Sequence, residues 1–286
     1  MKLLRSSALV VITIAASVVL VHCGNGADDS IQRTHELLNA VLWVQSSAEY
    51  EVACLQVFDL ATRSLVEALA DSEWTAIRAQ QGMPNLRRLP PAIIVDVDET
   101  VLSNSRFDAR TVSLDTQYNQ ALWDEWVAKS NAEPTPGSTG FLAYAEARGV
   151  EVFFVTNRKH HNKDATLRNL QLAFGDGIDT THLLCRGDRD DWSSRDKTPR
   201  REYLAQEFRI LLLVGDDLND FVWHEERPPG GRKTLALNNR EYWGTKWILV
   251  PNPMYGSWEE AVYGYGSTAS RSEKIEAKYG SLDDNW

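Results

Sequence analysis

A run of branched apolar residues ending in two acids, IIVDVDETVL at Ile93 to Leu102, constrains this chain more than any other stretch. Ile93, Ile94, Val95 and Val97 read as a buried strand, and Pro90 and Pro91 mark where it can start. Asp96 then falls at the strand's C-terminal edge and Asp98 just beyond it. In an open α/β sheet, ligands bind at that edge. Two carboxylates after a buried strand cannot both pack against hydrocarbon, because an unpaired buried charge is very costly. The arrangement asks for a cation. Taken alone, it also reads as a strand followed by an Asp-rich turn, since D-x-D runs are common in turns.

The same grammar recurs downstream. Ile210 to Val214, ILLLV, is the clearest buried strand, and it runs straight into Gly215, Asp216, Asp217, Leu218, Asn219 and Asp220. Gly215 is expected to permit a tight turn, with Asp216 at the strand end and Asp220 four residues on. Two strand-end acid sites make a metal site the stronger reading. Hard carboxylate oxygens suit Mg²⁺, which keeps several waters and binds together with substrate phosphate. Val150 to Val155, Thr181 to Cys185 and Lys246 to Val250 supply three more short strands, with helical patterns among them. The fold class expected is α/β with a mostly parallel central sheet.

Residues 31 to 81 read as helical, with Tyr50, Cys54, Val57, Phe58, Ala61, Leu65 and Leu69 at helical spacing. That is long for one helix, so a break is expected near Ser46-Ser47 or Asp71-Ser72. The segment could cover a sheet face or form half of a cap. Residues 103 to 135 interrupt the core after its first strand, and there Trp123 and Trp126 are spaced for one helix face. They read equally as cap packing or as an aromatic wall that stacks on a planar group. Thr156 ends the second strand, where its hydroxyl can donate to a phosphate oxygen, and the amides that follow, at Asn157 and beyond, can do the same. A Thr that begins a turn is the plainer alternative, and Arg158 is open between a supplied charge and a solvated one. Lys197 precedes a helix in which Thr198 is the expected N-cap and Pro199 the first helical position. A lysine there can reach inward and balance several carboxylates. Tyr255 follows the last strand and reads as sheet-edge packing. Cys54 and Cys185 read as buried free thiols.

A formal charge of -10 makes the chain a poor binder of nucleic-acid polymers. At the N-terminus, Lys2 and Arg5 precede an apolar run from Ala8 to Val21, the plan of a secretory signal over residues 1–22. Leu20-Val21-His22-Cys23 looks like a bacterial lipobox with Cys23 as the lipidated residue. His22 departs from the small residue usual there, so cleavage without lipidation stands beside it. The expected organisation is a signal at 1–22, a tether at 23–30, a helical segment at 31–89 and the first core strand with its acidic loop at 90–102. A cap insertion at 103–135, the rest of the core at 136–263 and a tail at 264–286 complete it.

Four stretches together carry a resemblance: IIVDVDETVL at 93–102, FFVTNR at 153–158, DKTPRR at 196–201 and VGDDLNDF at 214–221. With PNPMYGSWE at 251–259, the chain resembles the haloacid dehalogenase superfamily, and within it the class C bacterial acid phosphatases, which include outer-membrane lipoprotein 5′-nucleotidases. The resemblance implies a Rossmann-like core with a helical cap made from the N-terminal segment and the insertion. It implies Asp96 as the nucleophile that forms an aspartyl-phosphate, and Asp98 as the acid that protonates the leaving oxygen and then activates water. Asp96 and Asp216 match side-chain ligands of Mg²⁺, Asp98 a ligand through its backbone carbonyl, and Asp220 a carboxylate behind the ligands. Thr156, Asn157 and Lys197 match the phosphate-binding positions, and Tyr255, with a cap aromatic such as Trp123, would face the substrate. The family further implies a homodimer, phosphomonoester substrates that include nucleoside 5′-monophosphates, and export to the outer membrane, periplasm or medium. A phosphotransferase with the same intermediate and a surface lipoprotein that only binds its ligand are the alternatives. Because Asp98 must hold a proton more tightly than Asp96, an acidic pH optimum is expected.

Overall fold

The computed structural model describes residues 35–224 and 226–286. The expected signal, the lipobox cysteine Cys23 and the tether lie outside those residues. Helix α1 (Leu38–Ser46) and helix α2 (Ala48–Ala70) are separated at Ser47, one of the two anticipated breaks. Ser47 takes an extended conformation, and its hydroxyl accepts from the Tyr50 amide at 3.0 Å, capping α2. Tyr50, Cys54, Phe58, Ala61, Leu65 and Ala68 recur three or four residues apart and are all buried, which gives α2 one continuous apolar stripe.

The helical pattern overreaches after Ala70. Residues 71–90 hold only two single-turn 3₁₀ segments, at 78–80 and 86–88. Tertiary hydrogen bonds take over here. The Trp74 indole donates to the Leu211 carbonyl at 2.8 Å, the Ala76 amide to Ile210 at 2.7 Å, and Gln80 Nε2 to both Ala205 (2.7 Å) and Phe208 (2.6 Å). The segment braces the sheet instead of continuing the helix.

The core strands are β1 (Pro91–Val95), β4 (Glu151–Lys159), β5 (Leu183–Arg186), β6 (Arg209–Gly215) and β7 (Trp247–Leu249). They form one sheet in the order β5-β4-β1-β6-β7, and every neighbouring pair is parallel. In register, Val95 lies beside Phe154 on one side and Val214 on the other, so β1 and β6 finish together while β4 runs on past that level to Lys159. Chain direction across the sheet reverses beside β1, and this order opens a crevice at the strand ends there.

Both faces of the sheet are covered, which is why residues 92–95, 152–155 and 210–214 are apolar. Ile93, Val95, Leu212 and Val214 point to one side, onto α2, α5 (Ser138–Ala147) and α6 (Lys163–Phe174). Ala92, Ile94, Ile210 and Leu213 point to the other, where α7 (Thr198–Ala205) contributes Leu204 and Ala205 beside Phe221 and Trp247. Helix α2 is therefore part of the core layer and not half of a cap, because its stripe is long enough to match the sheet.

The insertion leaves and returns through a two-stranded antiparallel ribbon, β2 (Leu102–Ser103) with β3 (Glu133–Pro134). Between them α3 (Ser105–Ser113) and α4 (Gln120–Ala128) pack through a small cluster of Phe107, Trp123 and Val127, and α1 rests against α3. Beyond the sheet, α8 (Pro229–Leu237), α9 (Ser257–Tyr263) and α10 (Arg271–Gly280) close the chain. Arg271 ties α10 back through ion pairs with Glu36 at 2.6 Å and Asp115 at 2.7 Å. Cys54 and Cys185 are buried and unpaired. No described helix is long and apolar enough to cross a membrane.

Candidate active site

Sheet order decides which acids meet. Because β6 lies directly beside β1, Asp96 and Asp216 emerge side by side, and the Asp96 amide still bonds to the Val214 carbonyl at 2.9 Å. Carboxylate oxygens of Asp96, Asp216 and Asp220 all lie within 4.8 Å of one another. Lys197, 4% exposed, reaches between them, pairing its ammonium with Asp96 and with Asp220 Oδ1 at 2.6 Å. The Thr100 hydroxyl lies 3.1 Å from Asp216 and 3.3 Å from Asp96, and Asn252 donates to Asp216 at 2.8 Å. Burial pushes the Asp96 carboxyl up to about 7, against the pull of Lys197 and with the push of Asp220 and Asp98. Burial, then Asp220 and Asp96, raise Asp216 well above the usual carboxylate range. For Lys197, burial works against the charge, but the two carboxylates prevail and its pKa is raised.

Three acids around one buried lysine leave negative charge uncompensated, and their donors are hard oxygens, so the cluster fits a divalent cation. Within it, Asp220 accepts from Lys197 on one oxygen and from the Asp217 amide on the other at 2.9 Å.

Gly215 serves this cluster differently from the expected turn. It is not among the glycines with positive φ. A Cβ there would lie 2.3 Å from Asp220 Oδ2 and 2.4 Å from Asp220 Cβ, so glycine is required for Asp220 to fold back over the strand end.

Asp98 stands outside this cluster and has partners of its own. Arg158, on β4 and 3% exposed, clamps it with Nη2 to Oδ1 at 2.7 Å and Nε to Oδ1 at 3.0 Å. The guanidinium also sits 5.4 Å from the centre of the Trp123 ring. Asn104 Nδ2 divides its donors between Asp98 Oδ1 (2.8 Å) and Glu99 Oε2 (2.9 Å), while its oxygen accepts from the Trp126 indole at 2.8 Å. Trp126 thus fixes the loop, and Trp123, edge-on to Phe107, lines the cavity. Glu99 is 1% exposed and left-handed, with φ 58, a strained place for a residue with a side chain. The Asn104 amide at 2.6 Å and the Tyr255 hydroxyl hold it there. Tyr255 lines the cavity with its hydroxyl pinned to Glu99.

The second core strand does not end at Thr156 but runs on to Lys159. Thr156 is fully buried, and its hydroxyl oxygen accepts from the Arg158 amide at 3.1 Å, the role of a turn-starting threonine. Asn157 lines the cavity, with its Oδ1 taking a bond from Arg200 at 2.8 Å. Arg200, fully buried, also donates to the Thr156 carbonyl at 2.6 Å, and Arg201 donates to the carbonyls of Asn219 (2.8 Å) and Asp220 (3.1 Å). These two arginines tie the C-terminal half of β4 and the loop after β6 to α7. Helix α7 begins one residue earlier than expected. Lys197 is the N-cap and makes no side-chain cap bond, because its ammonium is drawn to the acids, and Thr198 is the first helical residue. Asp217 caps its own loop and accepts from the Ser257 amide at 2.7 Å, which fixes the segment carrying Tyr255.

The acids open onto a cavity of about 500 Å³, between the strand ends and the insertion. An all-parallel sheet of this order, with paired aspartates after its central strand and a lysine set among the acids, defines an α/β fold of the haloacid dehalogenase kind. The chain belongs to the haloacid dehalogenase superfamily, subfamily IIIB, the acid phosphatases, whose family model matches residues 26–258. It is similar to the crystal structure of a class C acid phosphatase from Bacillus anthracis with tungstate bound, with a TM-score of 0.77 and 33% identity over 87% of this chain and 97% of that one. Acid phosphatase 1 of Solanum lycopersicum is 30% identical over 57% of this chain and 57% of its own length. A stem 28 kDa glycoprotein of Glycine max is 28% identical over 52% of this chain and 59% of its own. The chain thus spans little more than half the length of these curated plant relatives.

Proposed function

We propose that the protein is a Mg²⁺-dependent phosphatase that hydrolyses phosphomonoesters through a phosphorylated Asp96. The observation that carries the reading is the division of labour between Asp96 and Asp98. One sits in the acid cluster with Lys197, and the other is turned into the cavity and held by Arg158. Asp96, Asp216 and the Asp98 backbone carbonyl would hold the cation, which supplies positive charge to the phosphate oxygens. Lys197 adds a fixed positive charge beside the nucleophile. Asp96 attacks phosphorus as the P–O bond to the alcohol breaks, and the departing oxygen takes the proton of Asp98. Asp98 then accepts a proton from the water that attacks the aspartyl-phosphate, releasing phosphate and restoring Asp96. Arg158 and Asn104 keep Asp98 in one orientation through both steps.

Trp123 and Tyr255 on the cavity wall favour leaving groups with a planar ring, nucleosides among them. The basic and apolar N-terminal run supports export, with Cys23 as the point of lipid attachment. Mass analysis of the processed N-terminus separates lipidation from simple cleavage.

Phosphate release from adenosine 5′-monophosphate and phenyl phosphate, with Mg²⁺ and after chelation, tests the chemistry. Wild-type protein should release phosphate only with the cation, and Asp96→Asn should lose at least about 10³-fold in kcat. Full activity in that variant, or after chelation, would overturn the mechanism.

A further inference from the structure

One wall of the cavity plays no part in the phosphoester chemistry. Asp108, on α3, is 4% exposed and lines the cavity beside Phe107 and Thr111. Its backbone is fully used, the amide donating to the Asn104 carbonyl at 3.2 Å and the carbonyl accepting from the Thr111 hydroxyl at 2.8 Å. Its carboxylate is not. Oδ2 is buried without a hydrogen-bond partner, and no described cation forms an ion pair with Asp108.

The neighbouring acids show how unusual this is. Asp98 has Arg158, Glu99 has Asn104 and Tyr255, Glu36 has Arg271, and Glu259 has Lys278 at 2.5 Å. Asp108 faces Glu99, Asp98 and Glu259, groups of its own sign, and burial followed by these neighbours raises its proton affinity well above the usual. A buried polar atom left without a partner is destabilising and rare. Asp108 is in the cavity wall, so a turn of its side chain can bring this oxygen to a ligand that supplies the missing partner.

We infer that Asp108 is a specificity-determining residue that receives a hydrogen bond from an O–H or N–H carried by the substrate's leaving group. This rests on the phosphatase reading and narrows its substrate class. Rings at Phe107, Tyr118, Trp123 and Tyr255 surround the same space. The leaving group is therefore a ring-bearing alcohol with at least one further hydroxyl or amino donor. Such a donor completes Asp108, whereas a leaving group lacking it buries the acid with its deficit intact.

Steady-state kinetics with four substrates test the assignment: adenosine 5′-monophosphate, its 2′,3′-dideoxy analogue, purine riboside 5′-monophosphate and phenyl phosphate. Removing one of the donors should lower wild-type kcat/KM about tenfold or more. In Asp108→Leu the preference for adenosine 5′-monophosphate over phenyl phosphate should fall by a similar factor. Asp108→Asn, which keeps an acceptor oxygen and the shape, should retain most of the preference. Equal losses on all substrates in Asp108→Leu would mark Asp108 as merely structural. Should that variant fail to fold, the wild-type series decides, and indifference to every donor overturns the inference. No phosphate release from any substrate by the wild type would instead remove the phosphatase reading, and this inference with it.

Discussion

Arg158→Met should lower kcat about 10²-fold, because Asp98 loses the guanidinium that fixes its direction. Phosphate burst and steady-state rates check this, and an unchanged kcat would show that Asn104 alone positions Asp98. Residue types announced the chemistry here, whereas residue partners did not. Asp96, Asp98 and Asp216 stood out because charge at the end of an apolar strand has few explanations. Nothing in the spacing paired Arg158 with Asp98, 60 positions earlier. That pairing exists because β4 lies beside β1 and brings both strand ends to one edge. Glu99 was equally silent, since a left-handed glutamate has no sequence signal of its own. Its neighbours Asn104 and Tyr255 hold it only once the insertion has folded.

Elements followed their periodicity wherever a single partner surface decided them. Helix α2 kept its stripe because one sheet face accepts it, and it ended where the stripe met tertiary hydrogen bonds from Trp74 and Gln80. Phe58, 2% exposed and against Phe141, is a clear test of that packing. Phe58→Ala should destabilise the protein by about 3–5 kcal/mol in denaturant titrations. Gly215 tests the loop after β6. Gly215→Ala places a methyl group on Asp220 and should cost about 1–3 kcal/mol while also displacing the partner of Lys197. Thermal melts and turnover should therefore fall together, and normal turnover would show that Asp220 can move aside.

The balance of charge at the sheet edge acts on the whole molecule. Asp96 is raised from 3.8 to about 7 in the fold, and Asp216 is raised as well, burial being the main cause for both. The folded chain then binds more protons than the unfolded chain between about pH 4 and pH 7. The metal-free stability contributed by Asp96 is complete at the acid end and is lost as pH rises through 7, and Asp216 acts in the same direction. A divalent cation replaces those protons, so Mg²⁺ should raise the melting temperature more at pH 7.5 than at pH 5. Scanning calorimetry at both pH values, with and without chelator, measures the difference. An equal shift at both would place the cation away from these acids. Sequence by itself determined the strands, the acids at their ends and the need for a cation, because apolar runs and unpaired charges are local facts. The tertiary structure alone decided that Arg158 orients Asp98, that Thr156 is fully buried, and that an oxygen of Asp108 is left without a partner. Each of those depends on which strands are neighbours and where the insertion folds back, and no local spacing records that.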